Sequence, residues 1–121
     1  MANTFKVVTF AAEPNSAGTP YTVYTTPSST TTVVIGLVLA NINTTAVPAE
    51  VELVSDTGSR GGANNVANGT SFLIKDVSIP TGSSLEILSG GKVVLEAGDK
   101  IQIDCSVADK LSGTLSIMEI T

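Results

Sequence analysis

Hydrophobic and polar residues alternate along most of this chain with the two-residue period of a β-strand. Ile101, Ile103 and Cys105 alternate with Gln102, Asp104 and Ser106, and Val51 and Leu53 alternate with Glu50 and Glu52. Each such run offers one face to a core and one to water. β-Branched or alternating runs at 5–11, 21–25, 31–41, 49–55, 71–77, 84–88, 92–95, 100–107 and 113–120 are each closed by Gly, Pro, Asn or Ser. No window carries a helical stripe. About eight or nine short strands at near-regular spacing predict an all-β domain, an antiparallel β-sandwich or jelly-roll-like fold.

One strand breaks the rule of a single wet face. In TVVIGLVLAN, residues 32–41, strict alternation sends Val33, Ile35, Leu37 and Leu39 to one side and Val34, Gly36, Val38 and Ala40 to the other. Both sides are apolar. The last run repeats this, with Leu115 and Ile117 opposed by Met118 and Ile120. A doubly apolar strand needs a cover on its outer side, and without a helix that cover is a loop, an N-terminal arm or another subunit. Self-association is the expected solution, with Val34, Val38, Ala40, Met118 and Ile120 as candidate contacts and closed symmetry as its usual form.

Two stretches interrupt the strand rhythm. Pro14-Asn15-Ser16-Ala17-Gly18-Thr19-Pro20 separates the first run from the others, so residues 1–20 are either an N-terminal arm or a first strand with a linker, and residues 21–121 are the sandwich. As an arm, Phe5, Val7, Val8 and Phe10 would add a strand to a foreign sheet edge. As a first strand, they would complete the domain's own core. Residues 56–70, DTGSRGGANNVANGT, read as a loop tip, the kind of surface on which binding residues are displayed.

Composition narrows the chemistry. A chain of 121 residues is one domain's worth, with Val, Ile, Leu and Ala for a core and neither Trp nor His. The missing His removes the commonest general base, the Ser-His-Asp triad and most transition-metal sites. Asp56, Gly58, Ser59, Gly61 and Gly62 faintly resemble a calcium loop but supply too few carboxylates. No metal, cofactor or catalytic residue is expected. A net charge of −5 repels phosphate backbones and anionic lipid, so neither nucleic acid nor membrane is an expected partner. Charged residues make up only 14% of the chain, a surface suited to burial in an assembly. Cys105, the only cysteine, falls on an inward face and reads as a small core hydrophobe. The first residues lack the basic flank and apolar run of a secretory signal, so synthesis in the cytoplasm without export is expected.

Glu96-Ala97-Gly98-Asp99 is the clearest polar cluster. Paired carboxylates suit acid–base chemistry on sugars, but a Gly inside a short link between two apolar runs is what a left-handed turn position demands. Gly98 is therefore expected to be a structural turn residue, with Glu96 and Asp99 pointing to solvent.

Residues 21–41, YTVYTTPSSTTTVVIGLVLAN, resemble the tyrosine-threonine, proline, threonine, hydrophobic-strand, Ala-Asn pattern of small β-structured virion proteins of tailed bacteriophages. Residues 79–121 are similar to the closing segment of the same proteins: IPTGSSLEIL, then GGKVVLEAGDKIQI, then LSGTLSIMEIT. The pattern looks most like that of marine phages of cyanobacteria and related plankton. The resemblance implies a non-enzymatic structural component located in the virion, a β-sandwich on the capsid surface or on the tail. The leading expectation is a decoration protein on the outer capsid surface, a symmetric oligomer in contact with the major capsid protein, with a trimer suiting a local three-fold. A tail, baseplate or fibre-base component, or a host-glycan-binding β-sandwich module, are the alternatives, the last weakened by the missing Trp.

Overall fold

The computed structural model describes residues 2–55, 69–88 and 90–121. Among these the chain is all β, with nine strands: β1 (Asn3–Glu13), β2 (Tyr21–Thr25), β3 (Thr31–Asn41), β4 (Val47–Ser55), β5 (Gly69–Ile79), β6 (Ser84–Glu86), β7 (Val93–Leu95), β8 (Lys100–Cys105) and β9 (Leu111–Ile120). They form two antiparallel sheets. The five-stranded sheet runs β1-β9-β3-β6, with β7 also paired to β3, and the four-stranded sheet runs β2-β8-β4-β5.

The period-two pattern explains the core. β8 turns Ile101, Ile103 and Cys105 inward and β9 turns Leu111, Leu115 and Ile117 inward, all of them buried. These side chains meet Val34, Leu37, Leu39 and Leu95 of the five-stranded sheet and Val23 and Val51 of the four-stranded one in a single cluster. Burial raises the Cys105 thiol above the ordinary thiol value, so it packs as a hydrophobe.

β3 corrects the alternation expected for it. Its pairing with β9 shifts register between Val34 and Gly36, so Ile35 is a bulged extra residue. The bulge inverts phase within the strand. Val34, expected outside, is 1% exposed and lies in the core with Leu37 and Leu39. Val33 and Ile35, expected inside, move to the outer face.

The first run is a strand of the domain's own sheet. β1 pairs with β9 from Asn3↔Ile120 to Phe10↔Gly113 before the register shifts toward Glu13. Phe10 is buried, with its ring 5.5 Å from that of Tyr21 and lying over Gly113, where a Cβ atom would collide with it. Phe10 is therefore core and not a surface contact.

Candidate functional site: the outer face of the five-stranded sheet

Cross-strand registers define the surface. On the outer side of the five-stranded sheet, Phe5 lies opposite Met118, Met118 opposite Val33, and Val33 opposite Val94. Four apolar side chains thus form one row across β1, β9, β3 and β7. The neighbouring positions are Val7, Ser116 and Gly36, then Thr9, Thr114 and Val38, with Ile35 bulging beside them. Phe5 is 71% exposed, Val7 62% and Val94 60%. Among the described residues no element lies over this face.

The exposed apolar side chains here amount to on the order of 400 Å², within the range of the largest apolar patch on a typical monomer, which is often functional. At about 25 cal/mol per Å², covering it contributes on the order of 10 kcal/mol before the costs of association.

The sequence-derived contacts divide over this geometry. Phe5, Val7 and Val38 are exposed on the outer face, and Ala40, Met118 and Ile120 are half-buried there. Val8 points inward and packs against the core, as do the buried Phe10 and Val34. Val33, Ile35 and Val94 belong to the face without having been singled out. The signal for the first two was Gly36, since a glycine inside a strand often marks a bulge.

A polar junction holds the two sheets together beneath one end of the row. Glu119 of β9 is almost fully buried; its Oε1 lies 2.7 Å from Lys6 Nζ, and its Oε2 accepts a 2.6 Å hydrogen bond from Tyr24 Oη. Because the tyrosine has one proton, Thr32 Oγ1 is the donor in the 2.8 Å contact with Tyr24 Oη. The Lys6 ammonium, then the Tyr24 hydroxyl, hold the Glu119 carboxyl below the usual carboxylate range. Burial, reinforced by the bond to Glu119, pushes Tyr24 up to about 12. This is the chemistry of a strut, with β1, β9, β3 and β2 tied through one carboxylate. No local pattern announces it, because its members are far apart in the chain.

The opposite surface is polar. Glu50 and Asp104 are direct cross-strand partners on the outer side of the four-stranded sheet, with Glu52 alongside. Lys75 bridges to Glu50 at 3.0 Å and lies 4.7 Å from the centre of the Phe72 ring. Burial, then the charges of Glu50 and Asp104, raise Glu52 above the ordinary carboxylate value.

The 96–99 link is a turn. Gly98 has φ 90°, and Asp99 N–H donates to Glu96 O at 2.9 Å. Asp99 departs from the solvated position expected of it: it is 2% exposed, and its Oδ2 accepts from Glu96 N–H at 3.0 Å. The segment at Thr26 buries it, because Thr26 bonds the backbone of both Gly98 and Asp99. Among the described residues no pocket opens and no group of three or more His, Cys, Asp or Glu is set to hold a metal. The loop at 56–68, including the positions resembling a calcium loop, lies outside the described residues.

No protein-family model and no curated protein matches the chain. Among solved structures it is similar to a protein of Bacillus endospore appendages, a family of disulfide-linked pili, at 16% identity and a TM-score of 0.47, over 99% of this chain and 87% of that one. It is also similar to a chain of infectious bursal disease virus, Gx strain, at 13% identity and a TM-score of 0.42, over 95% of this chain and 33% of the viral one. At these values neither likeness bears on what the chain binds or builds.

Proposed function

We propose that the chain is a non-enzymatic structural protein of a tailed-phage virion, a decoration protein that lies on the outer capsid surface as a symmetric oligomer and contacts the shell through the outer face of its five-stranded sheet. The observation that carries this reading is the uncovered row Phe5, Met118, Val33 and Val94. A sheet with apolar side chains on both faces suits the middle of a three-layer arrangement, and a partner would supply the missing layer. The resemblance of residues 21–41 and 79–121 to small virion proteins supplies the kind of partner. Among the described residues no pocket opens on this face to take a sugar.

The test is binding of the purified chain to particles stripped of it, imaged so that head and tail are scored separately. Wild type is expected on the head, and Val94→Glu combined with Phe5→Glu is expected to lose binding while melting cooperatively. Binding confined to the tail overturns the capsid assignment. Undiminished binding of the double variant overturns the assignment of the face.

A further inference from the structure

A free strand edge is chemically specific in a way that an apolar face is not. Its unpaired N–H and C=O groups, at alternate residues, fit another extended backbone. β1 has such an edge. Ala2 N–H donates to Thr121 O at 3.3 Å and Thr121 N–H donates to Ala2 O at 3.0 Å, which makes this a hydrogen-bonded pair. In an antiparallel ladder such pairs recur at every second residue. Thr4, Lys6, Val8 and Phe10, opposite Glu119, Ile117, Leu115 and Gly113, therefore aim their backbone groups at β9. Asn3, Phe5, Val7 and Thr9 aim theirs away from it. Among the described residues no backbone hydrogen bond meets them there.

The other edges are blunted. β6 and β7 are three residues each, and β2 has five with a register shift. β5 has eleven residues, but its register with β4 shifts twice and Asp76 stands at φ 53°. β1 also has eleven residues and runs in register from Asn3 to Phe10, with Lys6 as its one charge before Glu13. Short length, bulges and charge are the devices that protect edges, and β1 has the fewest.

We infer that β1 is a homotypic docking edge, through which two copies of this chain pair antiparallel about a two-fold axis at Val7. The occupant is a second copy because the strand is self-complementary in that register. Val7 faces the partner's Val7, Phe5 faces the partner's Thr9, and each of these residues carries the outward-aimed backbone groups. Moving the axis to Lys6 sets two ammonium groups directly opposite, which is destabilising. Moving it to Phe5 sets Thr9 opposite position 1, ahead of the strand that begins at Asn3, and moving it to Thr9 brings the irregular stretch before Glu13 into the ladder. Electrostatics agrees: copies with a net charge of −5 repel, and this edge approaches its counterpart with no carboxylate from Asn3 to Ala12. The contact is isologous and closes at two subunits, in place of the three expected from capsid symmetry. It makes one continuous sheet and sets two apolar outer faces side by side, and it is independent of the virion reading.

Proline scanning of β1 with sedimentation at micromolar concentration tests the pairing. Wild type is expected to sediment at twice its 12.3 kDa chain mass. Val7→Pro removes a donor aimed at the partner but none aimed at β9, so it is expected to be monomeric with a cooperative melt. As a second arm, Val7→Lys and Val7→Glu are each expected to be monomeric, and their equimolar mixture to restore the dimer. A wild-type chain that stays at 12.3 kDa, a dimer that survives Val7→Pro, or a mixture that stays monomeric overturns the proposal.

Discussion

The outer faces of the two sheets solve the same problem in opposite ways. Each sheet covers one side of a shared core, and each leaves its other side to the surroundings. On the four-stranded sheet, Glu50, Glu52 and Asp104 stand together, and the large apolar residue Phe72 lies under the Lys75 ammonium. On the five-stranded sheet, Phe5 is 71% exposed beside Met118, and among the described residues no cation lies over its ring. Only the inner faces are needed to make the sandwich, so the outer ones are free to specialise. An acidic face, on which Glu52 and Asp104 are packed down to 9% and 8% exposure among their neighbours, discourages approach by other acidic copies. An apolar face gains from being covered, and that asymmetry gives the molecule a direction in an assembly.

The sharpest way to break this contrast is to put a carboxylate on either side of β3. Val34→Asp buries an unpaired charge in the core and is expected to destabilise the fold by about 4 kcal/mol or more, enough to unfold a small domain. Val38→Asp places the same charge on the outer face, 39% exposed in the wild type, and is expected to stay within about 0.5 kcal/mol. Urea unfolding of the two variants measures the gap. Equal losses would mean that the bulge at Ile35 does not set the phase of the strand.

That pair of residues also marks what sequence could reveal. The positions of the strands and the wet face of β8 were legible because they depend on local alternation. Val34 was not, because one inserted residue at Ile35 puts the positions before it out of phase with Leu37 and Leu39 after it, and only pairing with β9 shows where the insertion falls. Phe10 was misplaced as a possible docking residue for a related reason: its niche over Gly113 forms only when the two ends of the chain pair. The apolar excess in β3 and β9 was legible, yet Val94 was not tied to it, since nothing near Val94 says that β7 lies beside β3. Asp99 shows the same limit in a turn. Gly98 gave away the bend, but the burial of Asp99 depends on the distant Thr26 segment.

A second measurement concerns the strut beneath the apolar face. Tyr24→Phe removes the donor to Glu119 and is expected to cost about 1.5–3 kcal/mol, the range for hydrogen bonds to charged groups. Its pH dependence has a definite shape. Glu119 is held below its ordinary value of 4.5, so its contribution is full above that value and is lost as pH falls through the lowered one. Tyr24 is raised from 10.0 to about 12, so its contribution is full below 10 and is lost as pH rises through 12. The stability gap between wild type and Tyr24→Phe is therefore expected to be flat between those limits and to close beyond each. A gap that stays constant into strong acid would remove Glu119 from the account.

The smallest effect is on the acidic face, and it has the opposite sign. Glu52 is raised above 4.5 by burial and by Glu50 and Asp104, so the folded chain holds its proton more tightly than the unfolded chain does. Its ionisation therefore costs stability, fully above the raised value and not at all below the ordinary one. Glu52→Gln removes that cost and is expected to stabilise the protein at neutral pH by tenths of a kcal/mol. The gain should fade as pH falls through the raised value of Glu52, and added salt should shrink it at neutral pH. Denaturation midpoints of the two proteins over a pH series test this directly. A loss of stability on Glu52→Gln at neutral pH would mean that the carboxylate is favourably paired, and the two outer faces would then differ less in their electrostatics than the cluster of Glu50, Glu52 and Asp104 implies.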